Sequence, residues 1–122
     1  MSKQHVWEDI GSRINLAGVV YSDYCQVQRT LKAGSVLQCV GQPTNHFDQL
    51  AISIRWHKKH IGYVPTQTVH QSECWNSHRA GYKVIAVLTG FHPHNPTWCK
   101  ITVQLKRTKV KKGTKIPDEI LL

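Results

Sequence analysis

Residues 41–52 read GQPTNHFDQLAI, a stretch that places Asn45, Phe47 and Asp48 within a few positions of one another. A phenyl ring stacks on any planar partner. An ionised carboxylate accepts from hydroxyl and N–H groups, and an asparagine amide both donates and accepts. The same residue types also build loops, in which Asp48 and Asn45 bond backbone amides and Phe47 plugs an end of the fold.

Other reactive side chains are more scattered. Cys74 and His78 lie four apart, and His92, His94 and Cys99 cluster further along, but the close cysteine pair typical of structural zinc sites is missing. No metal or cofactor is expected. The acids Glu8, Asp9, Asp23, Asp48, Glu73, Asp118 and Glu119 form no recognisable pair or triad with a histidine, so a non-catalytic protein is expected. Cys25, Cys39, Cys74 and Cys99 make no C-x-x-C motif and read as buried free thiols.

Lys plus Arg number 16 against 7 Asp plus Glu, a net charge of +9 that favours polyanionic partners. Lys100, Lys106, Arg107, Lys109, Lys111, Lys112 and Lys115 fall in a stretch without an acid. That concentration suits phosphate contact, or else a solvated strand end running into a tail. No apolar run approaches the ~20 residues of a membrane span, and the N-terminus lacks the apolar core of a signal peptide. A soluble intracellular protein, cytoplasmic or nucleoid/nuclear and without membrane attachment, is expected.

The elements that must hold these groups are mostly strands. INLAGVVY (14–21) reads as a strand bent at Gly18, SVLQCV (35–40) as a second, and AISIRW (51–56) as a half-buried third. His57-Lys58-Lys59 is short enough for a hairpin returning through residues 60–64 to Pro65, which has no N–H to continue pairing. A short helix is predicted within 66–77, with a threonine as N-cap, followed by strands at 83–89 and 99–105. Trp56 and Trp75 fall on apolar faces, whereas Phe91 and Trp98 flank a proline-rich loop. The order implies a mainly β domain, a small OB-like or SH3-like curved β-barrel with one short helix. Residues 1–13 are expected to be an N-terminal extension, 14–108 the domain, and 109–122 a basic tail.

Within this pattern, Pro43, Asn45, Phe47, Asp48, Ala51, Ile52 and Ile54, followed after the hairpin by Gly62-Tyr63-Val64-Pro65, resemble the HIRAN domain. The likeness extends from LAGVVY through KAGSVLQCV to about Leu105. In eukaryotic relatives that are remodelling ATPases with ubiquitin-ligase activity, such a module binds the 3′ end of single-stranded DNA. The resemblance then implies that Tyr21 and Phe47 stack on the terminal base, Asp48 accepts from the terminal hydroxyl, Asn45 lines the pocket wall and Tyr63 sits near it. Family positions that carry Arg, Tyr and Lys are Val20, Ser22 and Thr66 here. Phosphate contacts are therefore assigned to Lys58 and Lys59 or to the downstream run that includes Lys106 and Arg107. The implied function is non-catalytic binding of single-stranded DNA or DNA 3′ ends in repair, replication or mobile-element biology, with a helicase, nuclease or host protein as a further partner. The alternative is a protein-interaction or inhibitory module that uses the same barrel without DNA.

Overall fold

The structure, a computed structural model, describes residues 6–19, 22–27, 29–66, 68–91, 101–109, 115–116 and 119–122. Strands β1 (Glu8–Asp9), β2 (Ile14–Asn15) and the one-turn helix α1 (Tyr24–Val27) precede β3 (Val36–Gly41), β4 (Ile52–Trp56) and β5 (Lys59–Tyr63). Helix α2 (Val69–Arg79) leads to β6 (Tyr82–Phe91), β7 (Ile101–Lys109), β8 (Lys115–Ile116) and β9 (Glu119–Leu121). The protein is mainly β, and one antiparallel sheet runs β1-β7-β6-β3-β4-β5.

Period-two alternation explains which face of that sheet is inside. Leu37 and Cys39 of β3, Ile52 and Ile54 of β4, Val84, Ala86 and Leu88 of β6, and Ile101, Val103 and Leu105 of β7 are buried in one cluster. Each such Val, Leu or Ile contributes roughly 1.5–3 kcal/mol by leaving water. Cys39 and Cys74 are free thiols in this core, and burial pushes the Cys74 thiol up to about 12. Both therefore pack as small apolar groups.

The sheet is not closed into the expected curved barrel, because among the described residues β5 and β7 do not pair with each other. Residues 14–17 strap the gap instead. Ile14 and Asn15 pair with Val103 and Thr102 of β7, and Leu16 N–H reaches the Ile101 carbonyl at 2.9 Å. Ala17 then crosses to β5 and exchanges two 2.8 Å hydrogen bonds with Tyr63. Close approach depends on Gly62, where an added Cβ would stand 2.9 Å from Leu16 Cβ. Gly18 has a φ of 68° and turns the chain off the sheet directly after the bridge, so the expected long first strand is reduced to two residues and a single bridge.

The presumed extension and tail supply parts of the sheet. Strand β1 pairs with β7, Ile10 is buried, and Thr108 Oγ1 donates to the Val6 carbonyl at 2.7 Å. At the other end, Leu121 and Ile120 pair with Val40 and Gly41 of β3. Beyond Gln38, where β3 loses its pairing with β6, Leu122 occupies the opening: its N–H donates to the Cys39 carbonyl and its carbonyl accepts from Val84 N–H, both at 2.9 Å. An apolar run of two or three residues has no readable period, which is why this strand looked like tail.

The α2 start follows the predicted logic, with Thr68 as N-cap accepting from Gln71 N–H at 3.3 Å. Gln71, Cys74 and Trp75 recur at helical spacing and form the buried stripe. Trp75 lies over Gly41 of β3, where any side chain would collide with the indole. Between β4 and β5 the turn residues His57 and Lys58 have φ of 49° and 69°, the left-handed pair of a two-residue hairpin that matches strand twist.

Leu122 is 2% exposed, so Leu122→Ala should cost about 2–5 kcal/mol, read as a lower urea midpoint with little change in slope. An unchanged midpoint would mean that β9 does not contribute to the folded state.

Candidate nucleic-acid interface

Residues 42–51 form a loop closed at its base by Gln42 N–H donating to the Ala51 carbonyl at 2.9 Å. Asn45 shapes its tip. The Asn45 Oδ1 accepts from the N–H groups of Phe47 at 2.9 Å and Asp48 at 3.1 Å, and Nδ2 donates to Gln42 Oε1 at 3.2 Å. Asp48 anchors the other side. Its Oδ1 accepts from Leu50 N–H at 2.9 Å, while Oδ2 accepts from Thr66 Oγ1 at 2.9 Å and Gln71 Nε2 at 2.7 Å. Gln71 Nε2 also donates to the Leu50 carbonyl at 2.8 Å, and Trp75 Nε1 meets that same carbonyl at 2.8 Å. The loop is thus bolted to α2.

These bonds set the charge of Asp48. Burial pushes its carboxyl up, but hydrogen bonds from Gln71, the Leu50 amide and Thr66 outweigh that and hold it below the ordinary carboxylate value. It is ionised at neutral pH. A carboxylate offers about four acceptor positions, and the three donors above occupy most of them. Asn45 and Asp48 therefore match the architectural reading of the loop, and one acceptor position on Asp48 Oδ1 is left for a ligand.

Phe47 does not match it. The ring is 100% exposed and plugs nothing. Asn45 Oδ1 holds the backbone N–H groups of Phe47 and Asp48, so the ring projects from a backbone braced at its base. Tyr63, at the end of β5, is connected to the same loop, because its hydroxyl donates to Gln42 Oε1 at 3.1 Å. Asn45, Phe47, Asp48 and Tyr63 are accordingly brought together, while Tyr21 and Val20 lie outside the described residues.

The cations expected to hold phosphates divide differently. Lys58 and Lys59 are exposed at the β4–β5 turn, which is the far end of β5 from Tyr63. Lys106 pairs with Asp9 at 3.3 Å, and Arg107 lies 3.7 Å from Glu8. Arg107 Nη1 also donates to Ser77 Oγ at 3.0 Å, with the guanidinium 4.6 Å above the Tyr82 ring. Lys106 is thus engaged with β1, and Arg107 with β1 and α2, and both remain partly exposed. Lys100, Lys111 and Lys112, and the loop with His92, His94, Trp98 and Cys99, lie outside the described residues. Among the described residues, no three His, Cys, Asp or Glu side chains gather as metal ligands, and no helix is long and apolar enough to cross a membrane.

Sequence reasoning missed Gln71 and Trp75, the two clamps on the loop, and the polar row on β4 and β5. In that row Arg55 Nε donates to Ser53 Oγ at 3.2 Å, and Ser53 Oγ lies 2.6 Å from His60 Nδ1. Ser53 Oγ therefore accepts from Arg55 and is shared with His60 Nδ1, which accepts or donates according to the imidazole tautomer. Burial pushes the His60 pKa down and the Arg55 charge adds to this, against an opposing pull from Asp23. Alternation alone placed Ser53 and Arg55 on the outer face. The bulge at Ile54/Arg55, which aligns His60 and Tyr63 with them, has no sequence signature.

No family model and no curated protein matches the chain. A crystal structure of a protein from Lactobacillus plantarum shares its fold, with a TM-score of 0.72 at 16% identity over 88% of this chain and 100% of that one.

Both shifts predict acid sensitivity with separable windows. His60 is depressed in the folded state, so its contribution is present above its ordinary value of 6.5 and lost as pH falls through the lower folded value. Asp48 is also depressed, and its contribution disappears only in the more acidic range below the ordinary carboxylate pKa. Thermal midpoints measured against pH should flatten in the first window for His60→Gln and in the second for Asp48→Asn. Gln71→Ala should cost about 1–3 kcal/mol at neutral pH by stripping donors from Asp48 and Leu50, and a variant as stable as wild type would remove the clamp from the account.

Proposed function

We propose that this protein is a non-catalytic module that binds single-stranded DNA at a strand terminus, in the way the HIRAN resemblance implies. The observation that carries this reading is Phe47, a fully exposed ring on a loop pinned from beneath by Asn45 and Asp48. With the backbone beneath the ring already bonded, only the side-chain torsions remain to be fixed when a base stacks on it. Stacking of this kind contributes ~1–3 kcal/mol per base and is indifferent to sequence. Asp48 adds selectivity for the end. Ionised and with one acceptor position left on Oδ1, it takes a hydrogen bond from a free hydroxyl and repels a terminal phosphate. The net charge of +9 supplies the general attraction. Any part in repair or replication runs through a helicase, nuclease or host protein that the module brings to the end.

Fluorescence anisotropy with short single strands ending in 3′-OH, in 3′-phosphate or in a blocking hairpin tests this directly. Strands with a free 3′-OH should bind best, and binding should weaken steeply as salt rises. Phe47→Ala should lower affinity roughly 5- to 150-fold, the equivalent of one stacked base. Asp48→Asn should narrow the gap between hydroxyl and phosphate ends. Equal affinity for all three ends would remove end recognition, and no binding at low salt would remove DNA as the ligand and leave protein interaction as the function.

A further inference from the structure

Along β5 the half-buried side chains of Tyr63 and His60 and the exposed turn lysines continue from the loop in an ordered series, while Ser53 of β4 on the same side is fully buried. Tyr63 comes first, joined through Gln42 to Asn45 and so to the backbone of Phe47. His60 follows, its ring 4.4 Å from the Tyr63 ring and backed by Ser53 and Arg55. Lys58 and Lys59 stand at the tip. One end of the series is therefore aromatic and the other cationic. β5 is five residues long, a span of about 13 Å at the rise of a strand.

Three features of this face suit the backbone of a nucleic-acid strand. Nδ1 of His60 is engaged by Ser53 Oγ at 2.6 Å, so a phosphate oxygen or a sugar hydroxyl meets the ring at Nε2, which donates when it carries a proton. The Arg55 guanidinium beside it adds a positive charge next to the ring, opposed by the charge of Asp23. The turn lysines are exposed, and neither is drawn into an ion pair among the described residues, in contrast to Lys106 and Arg107. The acid on this side is Asp23, just before α1. Its backbone N–H donates to the His60 carbonyl at 2.8 Å, and its carboxylate is engaged by Gln26 Nε2 at 3.2 Å.

We infer that the Tyr63–His60 side of β5 is the path of a single DNA strand, running from Phe47 across Tyr63 and His60 to phosphates held by Lys58 and Lys59. This rests on the proposed binding at Phe47 and adds its direction and its length. With the 3′ terminus at Asp48, the 5′ side of the strand lies over the sheet and leaves the protein at the hairpin. The covered length corresponds to roughly four nucleotides, the short end of the range for small β-barrel folds.

A series of single strands from about two to about ten nucleotides, all ending in 3′-OH, tests the path against end binding alone. Affinity should rise with length up to roughly four nucleotides and then level off. Lys58→Ala/Lys59→Ala should weaken the longer strands several-fold and reduce the slope of log affinity against log salt by ~0.7 per lost phosphate. The shortest strand should bind this variant as it binds wild type. His60→Gln should likewise weaken only the longer strands, and the lysine variant tests the path by itself if His60→Gln fails to fold. Affinity independent of length, or a salt slope unchanged in the lysine variant, while Phe47→Ala still abolishes binding, overturns the path and leaves the end pocket standing. Failure of every strand to bind overturns both.

Discussion

A single buried amide joins the parts of this protein that matter for its candidate site. Gln71 Nε2 reaches Asp48 Oδ2 at 2.7 Å and the Leu50 carbonyl at 2.8 Å, so the loop before β4 and the helix after β5 move as one body. Trp75, one helical turn further on, meets the same carbonyl and rests on Gly41. The helix is thereby seated on β3, the central strand of the ladder. The position of the loop backbone at Phe47 is thus inherited from the sheet through α2. A loop of this composition without those contacts is an ensemble of conformers, and an ensemble holds a stacking ring at much greater entropic cost.

Charge is distributed in a way that the total conceals. Glu8 and Asp9 sit opposite Arg107 and Lys106 in the β1–β7 register, and they neutralise part of the basic run on β7. Exposed pairs of this sort add little stability, yet they remove positive potential from that edge of the sheet. The β4–β5 turn carries adjacent lysines with no such opposition among the described residues.

Much of the strand framework was legible because alternation is a local property. Leu37 and Cys39, Ile52 and Ile54, and Ile101, Val103 and Leu105 could be assigned to one face from spacing alone, as could the hairpin and the capped helix. What escaped was set by distant partners. Nothing near Ala17 announces its bridge to Tyr63, and nothing near Asp48 announces that Gln71 will take one of its oxygens. The loop residues themselves were found, but their division of labour was not. Asn and Asp serve loop geometry and ligands with the same atoms, and only the observed donors distinguish the two uses.

The last strand has a consequence for how the chain reaches its folded form. Leu122 bonds to Cys39 on one side and to Val84 on the other, filling a place between β3 and β6 that their own pairing leaves open. Early and middle portions of the chain can zip together locally, but that opening stays unsealed until the residues around 120 have been synthesised and returned to the middle of the sheet. Such sequence-distant pairing slows folding, since the entropy of closing a long loop must be lost before the contacts form. During that interval the half of β3 from Cys39 to Gly41 presents a bare edge, ready to accept any extended segment that arrives first.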